Sequence, residues 1–129
     1  MGKRYLIDSN TLIEFTGRLL PERIYSEISN IIDSDFNISF INKIEVLGHS
    51  TGDKAWQNFV AQANIFKVDD EIINKTIEIR KSYKIKIPDA IVAATAVVND
   101  LILITRNIED FKKIPGLKAE NPWEWKLQG

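Results

Sequence analysis

The stretch Pro88-Asp89-Ala90-Ile91-Val92-Ala93-Ala94-Thr95-Ala96-Val97-Val98-Asn99-Asp100-Leu101-Ile102-Leu103-Ile104-Thr105 decides the fold class. From Ala90 to Val98 only Thr95 is polar, so the segment after Pro88-Asp89 predicts a helix that is apolar all round and therefore buried on most sides. Leu101 to Ile104 is a short continuous apolar run that predicts a buried strand, stopped by Thr105-Arg106-Asn107.

The rest of the chain repeats that alternation. Tyr5-Leu6-Ile7 predicts a first strand ending at Asp8. Ser9-Asn10-Thr11 supplies capping groups for a short helix that Gly17 stops. Pro21 suits the first turn of the next helix, whose inward face carries Ile24, Ile28, Ile31 and Ile32. Phe36, Ile38 and Phe40 alternate with Asn37 and Ser39 at strand spacing. Asn42 and Glu45 are spaced as a capping box, and Gly48 and Gly52 bracket the end of the helix they open. Ala55, Trp56, Phe59, Val60 and Ala63 form another helical stripe, followed by a strand at Ile65–Val68. Asp69-Asp70 caps a helix bearing Ile72, Ile73 and Ile77. Asn107 to Asp110 again looks like capping, and Gly116–Ala119 is a last edge strand. Apolar strands separated by helices imply an α/β domain, residues 1–129, with a parallel sheet covered on both faces.

Bulk composition narrows the function classes. The 129 residues suit one domain. With no cysteine, disulfides and thiolate metal sites are excluded, which suits a reducing, cytoplasmic setting. The apolar runs are far shorter than the ~20 residues of a membrane span. The N-terminus meets Asp8 too early for a signal peptide. Net charge is −1, from 17 basic and 18 acidic side chains. If three acids bind a cation, the same 17 bases face 15 acids, so the sum does not exclude a nucleic-acid partner. His49 is the single histidine, which makes a nucleophilic triad improbable.

The acids carry the chemistry. In a parallel α/β sheet the strand ends and the following helix N-termini share one edge, where ligands bind. Asp8, Glu45, Asn107 and Asp110 fall on that edge, and Asp89 joins them if its helix starts there. Each acid has a local role open to it, since helix N-termini favour carboxylates. Together they cost more: two carboxylates about 5 Å apart repel by roughly 3 kcal/mol at an effective dielectric near 20. A cluster of three needs protons or a cation, and oxygen-only ligands favour Mg²⁺ or Mn²⁺.

Four segments resemble the PIN-domain family, and within it the VapC-like toxins of type II toxin–antitoxin pairs. They are Tyr5–Asn10, Ile44–Gly48, Ile87–Ala96 and Leu103–Phe111. The resemblance implies a three-layer α/β/α fold with a five-stranded parallel sheet, and metal-dependent hydrolysis of RNA phosphodiesters. It implies that Asp8, Glu45 and Asp89 are the catalytic acids and metal ligands. Asn107 stands where the family has a fourth acid, with Asp110 three residues on. Asn10 and Thr105 match polar positions that support the pocket. The resemblance also suggests a homodimer and an antitoxin partner.

Arg106 is the expected phosphate contact, with Lys84, Lys86, Lys112 and Lys113 as guides for the RNA strand. Trp123 and Trp125 either stack on bases or pin the tail. A dehalogenase-like phosphatase would want an Asp at position 10, where Asn10 stands. A response-regulator receiver would want a lysine after the late strand, where Arg106 follows Thr105. A non-catalytic PIN-like module that binds RNA or protein is the other reading, motivated by the neutral Asn107.

Overall fold

The computed structural model describes residues 2–49 and 53–126. The bracketing position Gly52 lies outside the described residues. Five short strands alternate with helices: β1 Tyr5–Ile7, α1 Ser9–Thr16, α2 Glu22–Ser34, β2 Asn37–Ser39, α3 Phe40–His49, α4 Lys54–Ala61, β3 Asn64–Phe66, α5 Asp70–Ser82, α6 Ile87–Val98, β4 Ile102–Ile104, α7 Ile108–Phe111 and β5 Lys118–Glu120. A single 3₁₀ turn, Pro122–Glu124, follows.

All strand pairs are parallel. The five strands expected from the resemblance are present, but they form two hydrogen-bonded groups, β1-β4-β5 and β2-β3. β2 lies beside β1, and one side chain bridges the seam between them. Asn37 Nδ2 donates to the Tyr5 carbonyl at 3.0 Å, while Asn37 Oδ1 accepts from Asn64 at 3.1 Å. Both Asn37 and Ser39, read from the alternation as the polar face of a strand, are fully buried.

Strand alternation sorts the apolar residues into two cores. Leu6 and Leu103 pack on one face with α5, α6, Phe111 and Ile114. Ile7 and Ile104 pack on the other with Leu12, Phe15, Ile24, Ile28, Ile38 and Val60. This is the three-layer arrangement. The α6 helix is enclosed as its composition predicts: Ala90, Val92, Ala93, Ala94, Thr95 and Ala96 are all buried.

Several ends differ from the sequence expectation by a turn or less. Pro21 is the N-cap residue of α2, one position earlier than expected. The strand expected to reach Phe40 stops at Ser39, because Ser39 caps α3: its Oγ accepts from the Ile41 amide, and the Ser39 amide donates to Asn42 Oδ1. That reciprocal pair is the capping box. It sits three residues before the expected Asn42–Glu45 box, so Glu45 is not needed to close the helix end.

Candidate active site

Asp8 follows β1, and its amide extends the ladder by donating to the Ile104 carbonyl. The sequence assigned capping of α1 to Ser9 or Asn10; instead Asp8 is the cap residue, with Oδ1 accepting from the Ser9 amide at 2.9 Å. Oδ2 accepts from Thr105 Oγ1 at 2.8 Å, and Thr105 Oγ1 in turn accepts from the Asn107 amide. Two adjacent strand ends are thereby tied together at one carboxylate.

A second chain of donors runs from α3. The amide of the wholly buried Asn42 donates to Ser9 Oγ at 3.0 Å and to Asp8 Oδ1 at 3.4 Å. Ser9 Oγ donates to Glu45 Oε1 at 2.6 Å, the short length of a charge-assisted bond. Ser9 and Asn42 therefore orient Asp8 and Glu45. In the sequence both read only as helix caps; Asn42 lying three residues before a candidate acid was the available signal.

Asp89 is the third residue of α6, so α6 does begin at this rim. Its carboxyl is pushed up, first by burial and then by the charges of Asp8, Glu45 and Asp110, with Lys86 partly opposing. Burial also pushes the Asp8 carboxyl up, against the hydrogen bonds from Thr105 and Ser9, with Glu45 adding to the rise. Four carboxylates from four parts of the chain thus share one electrostatic neighbourhood. Among the described residues, none of them has a lysine or arginine within ion-pairing distance.

The expected convergence of Asp8, Glu45 and Asp89 is of that kind rather than a closed cage. Among the described residues, no three His, Cys, Asp or Glu side chains are set to hold one metal ion. Glu45 is turned to Ser9, and Asp110 accepts from Asn107 Nδ2 at 2.8 Å. The donor chemistry nonetheless fits a hard cation. It is all carboxylate and amide oxygen, two of the acids hold their protons more tightly than usual, and among the described residues none of them is ion-paired.

The remaining predicted residues are placed as follows. Asn107 and Asp110 line a cleft of about 550 Å³ with Asp89, Arg80, Lys84 and Lys86. Asn10 is exposed in a neighbouring cleft with Ile13, Glu14, Arg106 and Asn107, and does not join the Asp8 network. The Arg106 guanidinium is already committed: it pairs with Glu14 at 2.6 Å and lies 4.6 Å over the Trp123 ring. Lys112 pairs with Glu109. Trp125 Nε1 donates to Glu120, and the Trp125 carbonyl accepts from Arg23, so this residue pins the tail. His49 is exposed at the end of α3 and stacks near Trp56.

A parallel α/β layer with a buried aspartate and further acids around it at its carboxyl edge defines a class of carboxylate-centred sites. Residues 5–117 match the PIN domain model, and the chain belongs to the PIN-domain family. It is 30% identical to a chain of a toxin–antitoxin complex from Klebsiella pneumoniae, with TM-score 0.74, covering 94% of this chain and 99% of that one. Chains of a DNA-bound VapBC from Salmonella typhimurium (TM-score 0.77) and of VapBC2 from Rickettsia felis (TM-score 0.73) share the fold, each at 23% identity. Coverage is 94% of this chain and 99% of the Salmonella chain, and 95% and 98% for the Rickettsia pair. No curated protein sequence matches the chain.

Proposed function

We propose that this chain is a Mg²⁺- or Mn²⁺-dependent ribonuclease and the toxin of a toxin–antitoxin pair. One observation carries the proposal. Asp8 is buried beside other acids and is met by hydroxyl and amide donors, while no ion pair involves it among the described residues. A chain seldom buries a carboxylate without a protein cation unless something else supplies the charge.

Asp8 and Asp89 are the residues to hold the cation, with Glu45 and Asp110 at its margin. A divalent ion there supplies charge to a phosphate under attack and makes water more acidic. Thr105, Asn42 and the Ser9 amide keep Asp8 in one orientation. Ser9 orders Glu45, and in this reading its carboxylate takes a proton from the attacking water. Asp110, in reach of the Asn107 amide, takes the part of the fourth acid. The antitoxin partner belongs to the same proposal, as does pairing of two copies. Exposed Leu19, Ile44, Ile73 and Ile77 offer apolar surface for such contacts.

Cleavage of a single-stranded RNA by the purified chain, with Mn²⁺ and with chelator, tests the reading. Cleavage that needs Mn²⁺ and vanishes in Asp8→Asn and Asp89→Asn is expected; cleavage surviving both substitutions defeats the assignment. The second reading, a non-catalytic module, draws on the neutral Asn107 and on the internal bonds that occupy Glu45 and Asp110. It predicts no cleavage and no rise in thermal midpoint at millimolar Mn²⁺.

A further inference from the structure

The cleft beside Asp89 carries both signs of charge: Asp89 and Asp110 line it together with Arg80, Lys84 and Lys86. Arg80 differs from the other guanidinium near the site. Arg106 is neutralised by Glu14, whereas Arg80 pairs with no carboxylate among the described residues and instead donates Nη1 to the Ile85 carbonyl. Arg80 belongs to the last turn of α5, and Ile85 lies in the short link to α6. The guanidinium is thus fixed by the chain's own backbone, with further N–H groups unspent. Little side-chain freedom remains to be lost when it binds an anion.

We propose that Arg80, flanked by Lys84 and Lys86, is a phosphate-binding subsite for the RNA strand. It would hold a backbone phosphate to one side of the phosphate being cleaved. This rests on the nuclease reading for the identity of the substrate. A single strand presents repeated negative charges. The acidic rim accepts one of them only with a cation bound, so a neighbouring phosphate needs a positive group of the protein's own. The basic residues lining this cleft supply it, and the forked donors of Arg80 match phosphate oxygens.

The test is binding of a single-stranded RNA oligonucleotide to the full chain carrying Asp8→Asn, which leaves the RNA uncut. Fluorescence anisotropy is read across a series of salt concentrations. Arg80→Gln, which keeps a donor for the Ile85 carbonyl, should weaken binding about tenfold. It should also reduce the slope of log affinity against log salt by about 0.7, the contribution of one single-strand phosphate contact. Arg80→Lys should restore the slope. Lys118→Gln, at the opposite end of the strands, should leave it unchanged.

Unchanged affinity and slope in Arg80→Gln would overturn the proposal. So would weaker binding with an unchanged slope, the mark of a merely structural role. If Arg80→Gln fails to fold, the Lys84→Gln/Lys86→Gln pair reads the same cleft, with an expected loss of about 1.4 in slope and an unchanged slope as refutation. Lack of Mn²⁺-dependent cleavage by the unsubstituted chain would defeat the nuclease reading alone, and the salt slope would still decide Arg80.

Discussion

Two aspartates frame strand β1, and the chain treats them in opposite ways. At its start, Asp35 accepts from Arg4 Nε at 2.7 Å and from Asn37 Nδ2 at 2.9 Å. These partners hold its carboxyl below the usual range. At its end, Asp8 is more deeply buried, is met only by neutral donors, and has its carboxyl pushed up. The first acid is neutralised from within and serves the sheet. The second is left with unmet charge, as an acid must be if a cation from outside is to be bound.

The contrast has a sign that can be measured. Asp8 and Asp89 hold protons more tightly when folded than when unfolded. Their favourable contribution is therefore complete below the ordinary carboxylate range and is lost as pH rises through their raised values. At neutral pH they are a load on the metal-free fold. Asp35 contributes in the opposite direction, above the ordinary range, and its contribution is lost as pH falls.

The largest effect should come from removing the unmet charge. Asp8→Asn is expected to cut Mn²⁺-dependent cleavage by at least about 100-fold, beyond the cost of disturbing a mere supporting group. The metal-free variant should melt no lower than the parent at pH 7. It should also lose the Mn²⁺-induced rise in midpoint, a calorimetric readout independent of turnover. Undiminished cleavage would erase the distinction between the two ends of β1.

Next is the seam that the Asp35 end supports. Asn37→Ala would leave the partly buried Tyr5 carbonyl and the Asn64 amide without this partner. Urea titration should show a loss of about 1–2 kcal/mol, the cost of losing two hydrogen bonds at a partly buried seam. A loss below about 0.5 kcal/mol would mean that β1 and β2 hold together without the bridge.

Much of this architecture is legible in the sequence because it rests on periodicity. The α6 helix and β4 are told by composition alone, and Asp8 stands out as the acid that ends an apolar strand. The polar groups inside are not legible in the same way. Asn37 looks like the outward residue of an alternating strand, yet β1 and β3 flank β2 and close over it. Ser9 and Asn42 look like caps because capping and the orientation of a carboxylate use the same short polar side chains. Glu45 is freed from capping only because Ser39 and Asn42 complete that task one turn earlier, which a boundary shift of this size hides from the sequence. The engagement of Arg106 with Glu14 and Trp123 joins residues remote in the chain.

Asn107→Asp sharpens the comparison from the metal side. It would replace the amide that holds Asp110 with a further charge in the same cleft. Mn²⁺ should bind about tenfold more tightly by titration calorimetry, equivalent to about 1.4 kcal/mol. The metal-free protein should melt lower at pH 7, since another carboxylate joins an already crowded rim. Weaker Mn²⁺ binding would show that the Asn107 amide does more by ordering Asp110 than a new charge can do.

The smallest effect belongs to the satisfied acid. Asp35→Asn removes the ion pair with Arg4 but keeps an oxygen for a hydrogen bond. Both partners are well exposed, with side-chain exposures of 49% for Arg4 and 39% for Asp35, so water already screens the pair. The loss should be at most about 1 kcal/mol at neutral pH, and smaller still in high salt. It should fade as pH falls below the ordinary carboxylate range and vanish only below the lowered value of Asp35, where the parent's Asp35 is itself protonated. Cleavage should be unchanged, because Asp35 lies at the opposite end of β1 from Asp8. Melting curves of parent and variant compared at pH 7 and at successively lower pH decide it. A difference that grows on acidification would reverse the sign assigned to Asp35, and with it the claim that the chain neutralises this acid from within.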